Sequence, residues 1–191
     1  MRVEVFPTTE ELGQEQQIPW QDPARDARFV DLRENPAAIE TIEPVRESRA
    51  LAGFLIAINS ADSLFLTARA RTWLEKRPAG EDACAFAGQI TFAFADTQAN
   101  FDRQAFTLLF EKLRALLAAT ETSPALRVRL ALHPCRYGGQ AGRGFCASVL
   151  VEAHGESEGQ ARLRWTLGLA HVQQALLFSS RMLRQERRQS I

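Results

Sequence analysis

Leu126-Arg127-Val128-Arg129-Leu130 alternates arginine with apolar side chains, and the pattern recurs at Ala68-Arg69-Ala70-Arg71 and at Ala161-Arg162-Leu163-Arg164-Trp165. Successive side chains of a β-strand point to opposite faces of the sheet, so a period of two residues is typical of a strand with one buried face. The three stretches therefore predict strands that bury apolar side chains on one face and present arginine on the other. Such strands favour an antiparallel sheet with helices on one side.

Longer alternating and helical patterns complete the predicted fold. The strands are expected at 63–77, 86–94, 126–133, 145–151 and 161–169. Apolar residues three and four apart predict helices at 46–59, 101–119 and 170–187, the second capped by Asp102. The apolar run from Leu51 to Ile58 is also compatible with a buried strand. We expect turns at 78–82 and 155–159, and the second turn predicts one hairpin from Phe145 to Leu169. The fold class is therefore α+β: an antiparallel sheet of about five strands, in the order helix-strand-strand-helix-strand-strand-strand-helix, with helices packed on one face.

Length and composition indicate a globular protein without a membrane segment. The 191 residues are 46% hydrophobic, which suits one domain with a sizeable core. The longest apolar run, Leu51 to Ile58, is too short to cross a bilayer, and residues 1–8 lack the apolar region of a secretory signal. The three cysteines are odd in number and form no Cys-x-x-Cys pair, as expected for a reduced, cytoplasmic protein.

Charge and proline divide the chain near residue 44. Residues 1–47 hold 11 Asp and Glu against 5 Arg, and residues 48–191 hold 12 Asp and Glu against 18 Lys and Arg, so the formal charges are −6 and +6. We expect an acidic, proline-containing N-terminal arm at 1–44, with a short strand at Arg2–Phe6, and a single α+β domain at 45–191. Opposite charge predicts that the arm docks on the arginine-bearing side of the domain. Its expected apolar anchors are Trp20, Phe29, Val30, Leu32, Ile39 and Ile42.

The alternating arginines are the main candidate binding residues. The planar guanidinium suits carboxylate and phosphate, so a face lined with arginine would bind an acidic partner or the chain's own acidic arm. The alternative is cross-strand salt bridging, for example between Glu152 and Arg162 across the predicted turn. Zero net charge and few interleaved aromatic residues argue against nucleic acid. The candidate residues are Arg69, Arg71, Arg127, Arg129, Arg162 and Arg164, with Arg136 and Arg143 beside the glycine-rich loop.

A second candidate site lies at the end of the 126–151 hairpin. Pairing Leu132 with Ala147 places His133 beside Cys146, with Cys135 close by. One histidine and two cysteines suggest zinc or an activated thiolate. Because a structural zinc site needs four ligands and His154 is too far along the strand to be the fourth, we expect no metal and no cofactor.

The glycine-rich loop at 137–144 is the third candidate. Its backbone amides and the flanking Arg136 and Arg143 suggest an anion cradle. Phosphate loops normally lead into a helix, whereas a strand is predicted here, so a hairpin loop is the simpler interpretation. Gly138-Gly139-Gln140 is similar to the Gly-Gly-Gln tripeptide of peptide-chain release factors over these three residues alone.

These observations lead to two functional hypotheses. The first is a non-enzymatic interaction domain of a bacterial-type cytoplasm, chaperone- or adaptor-like, that binds an acidic protein partner through its arginine-bearing sheet face or self-associates as a dimer. The order of elements resembles that of small secretion chaperones, although no motif of that family is present. The alternative is a small-molecule or anion-binding domain, possessing or lacking enzymatic activity, with its site near the 133–146 hairpin end. We assign no catalytic residue, because the chain contains no recognised catalytic motif.

Overall fold

The described residues of the computed structural model are 1–6, 15–25, 27–76, 83–120 and 125–189. The strands are β1 (Arg2–Phe6), β2 (Gln16–Ile18), β3 (Gln21–Asp22), β4 (Ala27–Arg28), β5 (Phe65–Lys76), β6 (Cys84–Phe94), β7 (Leu126–Tyr137) and β8 (Gly144–Gly155). The α-helices are α1 (Glu43–Arg46), α2 (Arg49–Ile58), α3 (Arg103–Ala118) and α4 (Glu158–Gln189). Short 3-10 helices span Pro23–Arg25, Pro36–Thr41 and Thr97–Phe101.

The main sheet has the strand order β1-β7-β8-β6-β5, and β2 also pairs with β7. β5, β6, β8 and β7 are antiparallel neighbours, whereas β1 and β2 run parallel to β7. Helices cover one face, which we call the helix face. The α+β class with a largely antiparallel sheet is therefore confirmed. The predicted register of the β7–β8 hairpin is also confirmed, since Leu132 lies opposite Ala147 and His133 opposite Cys146.

The core lies between the sheet and the three longer helices. α4 packs on β6, β7 and β8, and it also contacts α2 and α3. Alternate residues of the central strands face these helices, which explains the apolar half of the alternating pattern. Asp102 caps α3 as predicted, because its carboxylate accepts a hydrogen bond from the Gln104 amide. The core side chains from the three central strands are Phe86, Ile90, Phe92, Val128, Leu130, Leu132, Val149, Val151 and Ala153.

The predicted strand at 161–169 is wrong, because these residues belong to α4. The hairpin predicted from Phe145 to Leu169 is therefore also wrong, and β8 leads into a helix at the 155–159 turn. A helix buries residues every three to four positions, and Ala161, Trp165 and Leu169 are indeed buried here. Leu163 and Leu167 complete the apparent alternation, but they are 63% and 55% exposed on the outer side of the helix.

The described part of the N-terminal arm packs on the rest of the chain. Arg2–Phe6 forms the predicted strand and extends the sheet beside β7. Leu32 is 3% exposed in the core. Val30, Ile39 and Ile42 pack against the same core, and Phe29 packs against a smaller cluster on the opposite face. The domain boundary near residue 44 stays a prediction, and the turn at 78–82 lies outside the described residues.

Candidate functional site

The face of the sheet opposite the helices, here the open face, carries a small polar recess. Its volume is about 180 Å³, and its lining residues are Gln16, Arg69, Arg71, Gln89, Thr91 and His133. The alternating positions of β6 on this face are mostly small, including Ala87 and Ala93, so the floor of the recess lies close to the backbone. The recess therefore combines residues from β2, β5, β6 and β7.

The N-terminal arm forms one wall of this recess. The arm leaves β7 at Ile18, and at Trp20 the indole N–H donates a hydrogen bond of 2.6 Å to the Ala68 carbonyl of β5. It therefore crosses the open face, and the Arg69 guanidinium lies 4.4 Å from the centre of the Trp20 ring. A cation over an indole face is attracted to the ring quadrupole. Trp20 therefore helps to hold Arg69 beside the recess.

A chain of hydrogen bonds crosses the floor of the recess. Arg71 donates through Nε to Gln89 Oε1 at 2.9 Å, and Gln89 Nε2 donates to Ser148 Oγ at 3.3 Å. Ser148 Oγ lies 2.8 Å from His133 Nε2. These four residues connect β5, β6, β8 and β7 in one row. Because Ser148 is 2% exposed, the row organises the floor of the recess and does not present an accessible nucleophile.

His133 is neutral near pH 7. Burial lowers the pKa of this histidine, because desolvation disfavours the charged imidazolium. A neutral imidazole can accept a hydrogen bond at Nε2, and Ser148 then both accepts from Gln89 and donates to His133. With this assignment each of the three contacts along the row joins a donor to an acceptor.

The lowered pKa of His133 is expected to contribute to the decrease in the free energy of unfolding at acidic pH. The unfolded chain binds a proton at the ordinary histidine pKa of about 6.5, whereas the folded chain resists protonation until lower pH. Stability from the neutral imidazole is therefore fully present above about pH 6.5 and is lost as pH falls through the folded pKa. We expect His133→Gln to flatten the decrease in the free energy of unfolding between pH 7.5 and 5.0, measured by urea denaturation. An unchanged slope in this variant would contradict the burial of His133.

Arg69 and Arg71 are the exposed cations of the recess. Neither forms an ion pair with a carboxylate among the described residues. Arg71 lies 5.3 Å from the Trp73 ring centre and is held by Gln89, so its guanidinium is positioned but not neutralised. Both arginines therefore retain the capacity to bind an added anion.

Arg129, Arg136 and Arg143 have carboxylate partners, whereas Arg127 forms no ion pair among the described residues. Arg129 pairs with Glu4 of β1 at 3.1 Å, and Arg127 lies opposite Glu152 in the β7–β8 register. Arg136 and Arg143 both contact Glu15 of the arm, at 2.5 and 3.0 Å. The six arginines of the alternating stretches consequently do not form one continuous cationic face.

Arg162 and Arg164 are displaced from the sheet altogether, because they lie on α4. Arg162 pairs with Glu158 one helical turn away, at 2.8 Å, so the predicted pairing with Glu152 is wrong. Arg164 donates to the His154 carbonyl at 2.6 Å. Arg162 therefore stabilises the first turn of α4, and Arg164 joins α4 to the end of β8.

Cys135 and Cys146 lie next to the recess in a small apolar cluster. Both are 0% exposed, and Ile18 of the arm covers them together with Tyr137. The hydrogen bond with Cys135, followed by burial, raises the pKa of the Cys146 thiol. The same hydrogen bond lowers the pKa of the Cys135 thiol. A reactive cysteine needs access to solvent, which both thiols lack, so this arrangement is typical of packed thiols. Within the described part of the chain, no group of three or more His, Cys, Asp or Glu residues is arranged to hold a metal ion.

The polar residues of the floor were not among the candidates predicted from the sequence. Gln89 and Thr91 are polar residues at alternate positions of the otherwise apolar β6, and Ser148 interrupts β8 in the same way. A polar residue in an apolar strand needs a hydrogen-bond partner, so these three positions could have indicated a polar site on this face. Gln16 and Trp20 gave no such signal, because their positions depend on the path of the arm.

Among the described helices, none combines the length and the apolar character needed to span a membrane. Comparison with protein-family models, with curated proteins and with solved structures found no match for this chain.

Proposed function

We propose that this protein is a non-enzymatic interaction domain that binds an acidic segment of a protein partner on the open face of its sheet. The observation that carries the proposal is the pair Arg69 and Arg71, which border a polar recess and have no carboxylate partner among the described residues. Arginine binds carboxylates through parallel N–H donors, and a preorganised guanidinium loses less entropy on binding. Gln89 and Trp20 supply that preorganisation.

The size of the recess supports an acidic side chain as the bound group. Sites for whole small molecules usually enclose about 300–1,000 Å³, whereas this recess has about 180 Å³. It suits a single carboxylate presented by a larger partner. A cytoplasmic setting belongs to the same proposal, and it is supported by an odd number of cysteines that are all free thiols.

Binding of a glutamate-rich peptide tests this function. We expect Arg69→Gln/Arg71→Gln to weaken binding at least about tenfold, because each charged hydrogen bond typically contributes about 1.5–3 kcal/mol. The measurement is isothermal titration calorimetry at low salt, where ionic interactions are least screened.

Arg114→Gln/Arg181→Gln is the matched control for this experiment. These arginines are exposed on α3 and α4, on the helix side of the protein, so the variant removes the same charge away from the recess. We expect it to bind the peptide as the wild type does. Equal losses in the two double variants would show that net charge, and not the recess, determines binding.

A second candidate function is a small-anion site in the same recess. The polar lining of the recess favours it, because a phosphate needs several donors and Arg69, Arg71 and Thr91 carry them. Inorganic phosphate distinguishes the two functions. Phosphate binding without measurable peptide binding would support the anion site, whereas peptide binding with weak phosphate binding supports the interaction domain.

A further inference from the structure

We propose that the acidic partner segment binds as an added β-strand along the outer edge of β5, between Arg69 and Lys76. This inference rests on the proposed function and adds the conformation and the sequence pattern of the partner. The bound segment has acidic residues at alternate positions opposite Arg69 and Arg71.

The outer edge of β5 is available for strand pairing over this range. β5 is the last strand of the sheet and pairs only with β6 among the described strands. An edge strand presents unpaired N–H and C=O groups, and an extended peptide can pair with them. Arg33 and Trp20 of the arm bond to the carbonyls of Phe65 and Ala68, at the start of the strand. A register irregularity between Thr67 and Arg69 follows, and the edge beyond it has no described covering segment.

The charges at the Arg69–Arg71 end of this edge favour acidic residues in an added strand, whereas Glu75 lies on the same face near the other end. Arg69 and Arg71 are two residues apart, so both side chains lie on the open face. Residues directly opposite each other in a strand pair have Cβ atoms about 4.5–5.5 Å apart, close enough for ion pairs. The other edge differs, because Glu4 of β1 already pairs with both Arg2 and Arg129. Only the β5 edge therefore offers arginines without carboxylate partners among the described residues.

The remaining side chains of the edge define the rest of the partner's pattern. Ala70, Thr72 and Leu74 alternate with the arginines on the helix face and are half-buried. Apolar residues of an added strand would contact them and extend the core at its margin. We therefore expect a partner with acidic residues opposite Arg69 and Arg71 and an apolar residue between them. An apolar residue is also expected opposite Trp73.

Two peptides of identical composition test this binding mode. In the first, acidic and apolar residues alternate, and in the second the same residues are reordered so that acidic residues are three or four apart. We expect the alternating peptide to bind at least about tenfold more tightly, which corresponds to about 1.4 kcal/mol. Hydrogen exchange should also show slower exchange of outward-facing amides within residues 69–76 when this peptide is bound.

The outcomes separate this inference from the proposed function. Equal binding of both peptides, abolished in Arg69→Gln/Arg71→Gln, would overturn strand addition and leave the acidic-partner function in place. Absence of binding by either peptide would overturn both. Dimeric sedimentation with amides of 69–76 already protected in the free protein would also overturn the inference, because a second copy would then occupy the edge.

Discussion

Val149→Asp is expected to abolish the cooperative folding of this protein or to lower its melting temperature by more than about 10 °C. Val149 is 0% exposed, and it lies between Leu130 and Ile90 on the helix face of the sheet. An aspartate there buries a carboxylate without a partner, at a cost of several kcal/mol. Domains of this size lose roughly 2–4 °C per kcal/mol, and their total stability is about 5–15 kcal/mol. Thermal denaturation followed by circular dichroism measures the effect.

Leu150→Asp is the matched control on the same strand. Leu150 lies on the open face, is only partly buried and is opposite Arg129, which can pair with a carboxylate. We expect this variant to lose much less stability than Val149→Asp. If Val149→Asp unfolded at the wild-type temperature, the assignment of Val149 to the buried face of β8 would be wrong.

The register of β7 and β8 could be predicted because two independent constraints agree. Strict alternation fixes which residues face the core, and a slip of one residue would expose all of them. Leu130 and Val149 therefore had to face the same side, and they are opposite each other in the structure. The same rule fixed Arg127 and Arg129 on the open face.

Residues 161–169 show where alternation alone fails. The buried residues Ala161 and Trp165 are four apart and fit a helix and a strand equally well, so Leu163 and Leu167 decided the prediction. A helix tolerates these two leucines in solvent, because single exposed apolar side chains are common on protein surfaces.

A helix-start signal was present just before this stretch. Ser157 and Gln160 have the spacing of a capping box. In the structure, Ser157 Oγ accepts a hydrogen bond from the Gln160 amide, while Gln160 Oε1 accepts one from the Glu156 amide. These bonds satisfy N–H groups at the start of α4, so the chain turns into a helix instead of a hairpin.

The candidate site was only partly predictable from sequence. Arg69 and Arg71 were recognised because alternation identifies outward-facing positions on a strand. That they lack carboxylate partners among the described residues could not be predicted, because this depends on where the described acids of the arm lie. Glu4 and Glu15 lie near the β7 side of the sheet and pair with arginines there, and among the described residues Arg69 and Arg71 at the β5 edge keep exposed guanidinium groups.

Gly88→Ala is expected to destabilise the protein by about 1–3 kcal/mol, the usual cost of overpacking a core. A Cβ atom at Gly88 would lie 2.6 Å from Cζ2 of Trp165, which is 1% exposed and packs its ring against Phe86. A buried indole has little free space to move into, so the added methyl group overpacks the contact between α4 and β6. Gly53→Ala is the matched control, because no atom lies within 4 Å of its added Cβ. Since Gly53 lies inside α2, we expect the control to gain about 0.5–1 kcal/mol.

A double-mutant cycle with Trp165→Leu tests whether Gly88→Ala destabilises the protein through a clash with Trp165 or through an effect on β6 alone. Trp165→Leu should itself be destabilising, because it leaves a cavity over β6. In the double variant the alanine methyl group enters that space, so the Gly88→Ala cost should shrink by about 0.5–3 kcal/mol. Urea denaturation of the four proteins gives the coupling. Strictly additive costs would contradict the close packing of α4 on β6, and with it the placement of residues 161–169 in a helix.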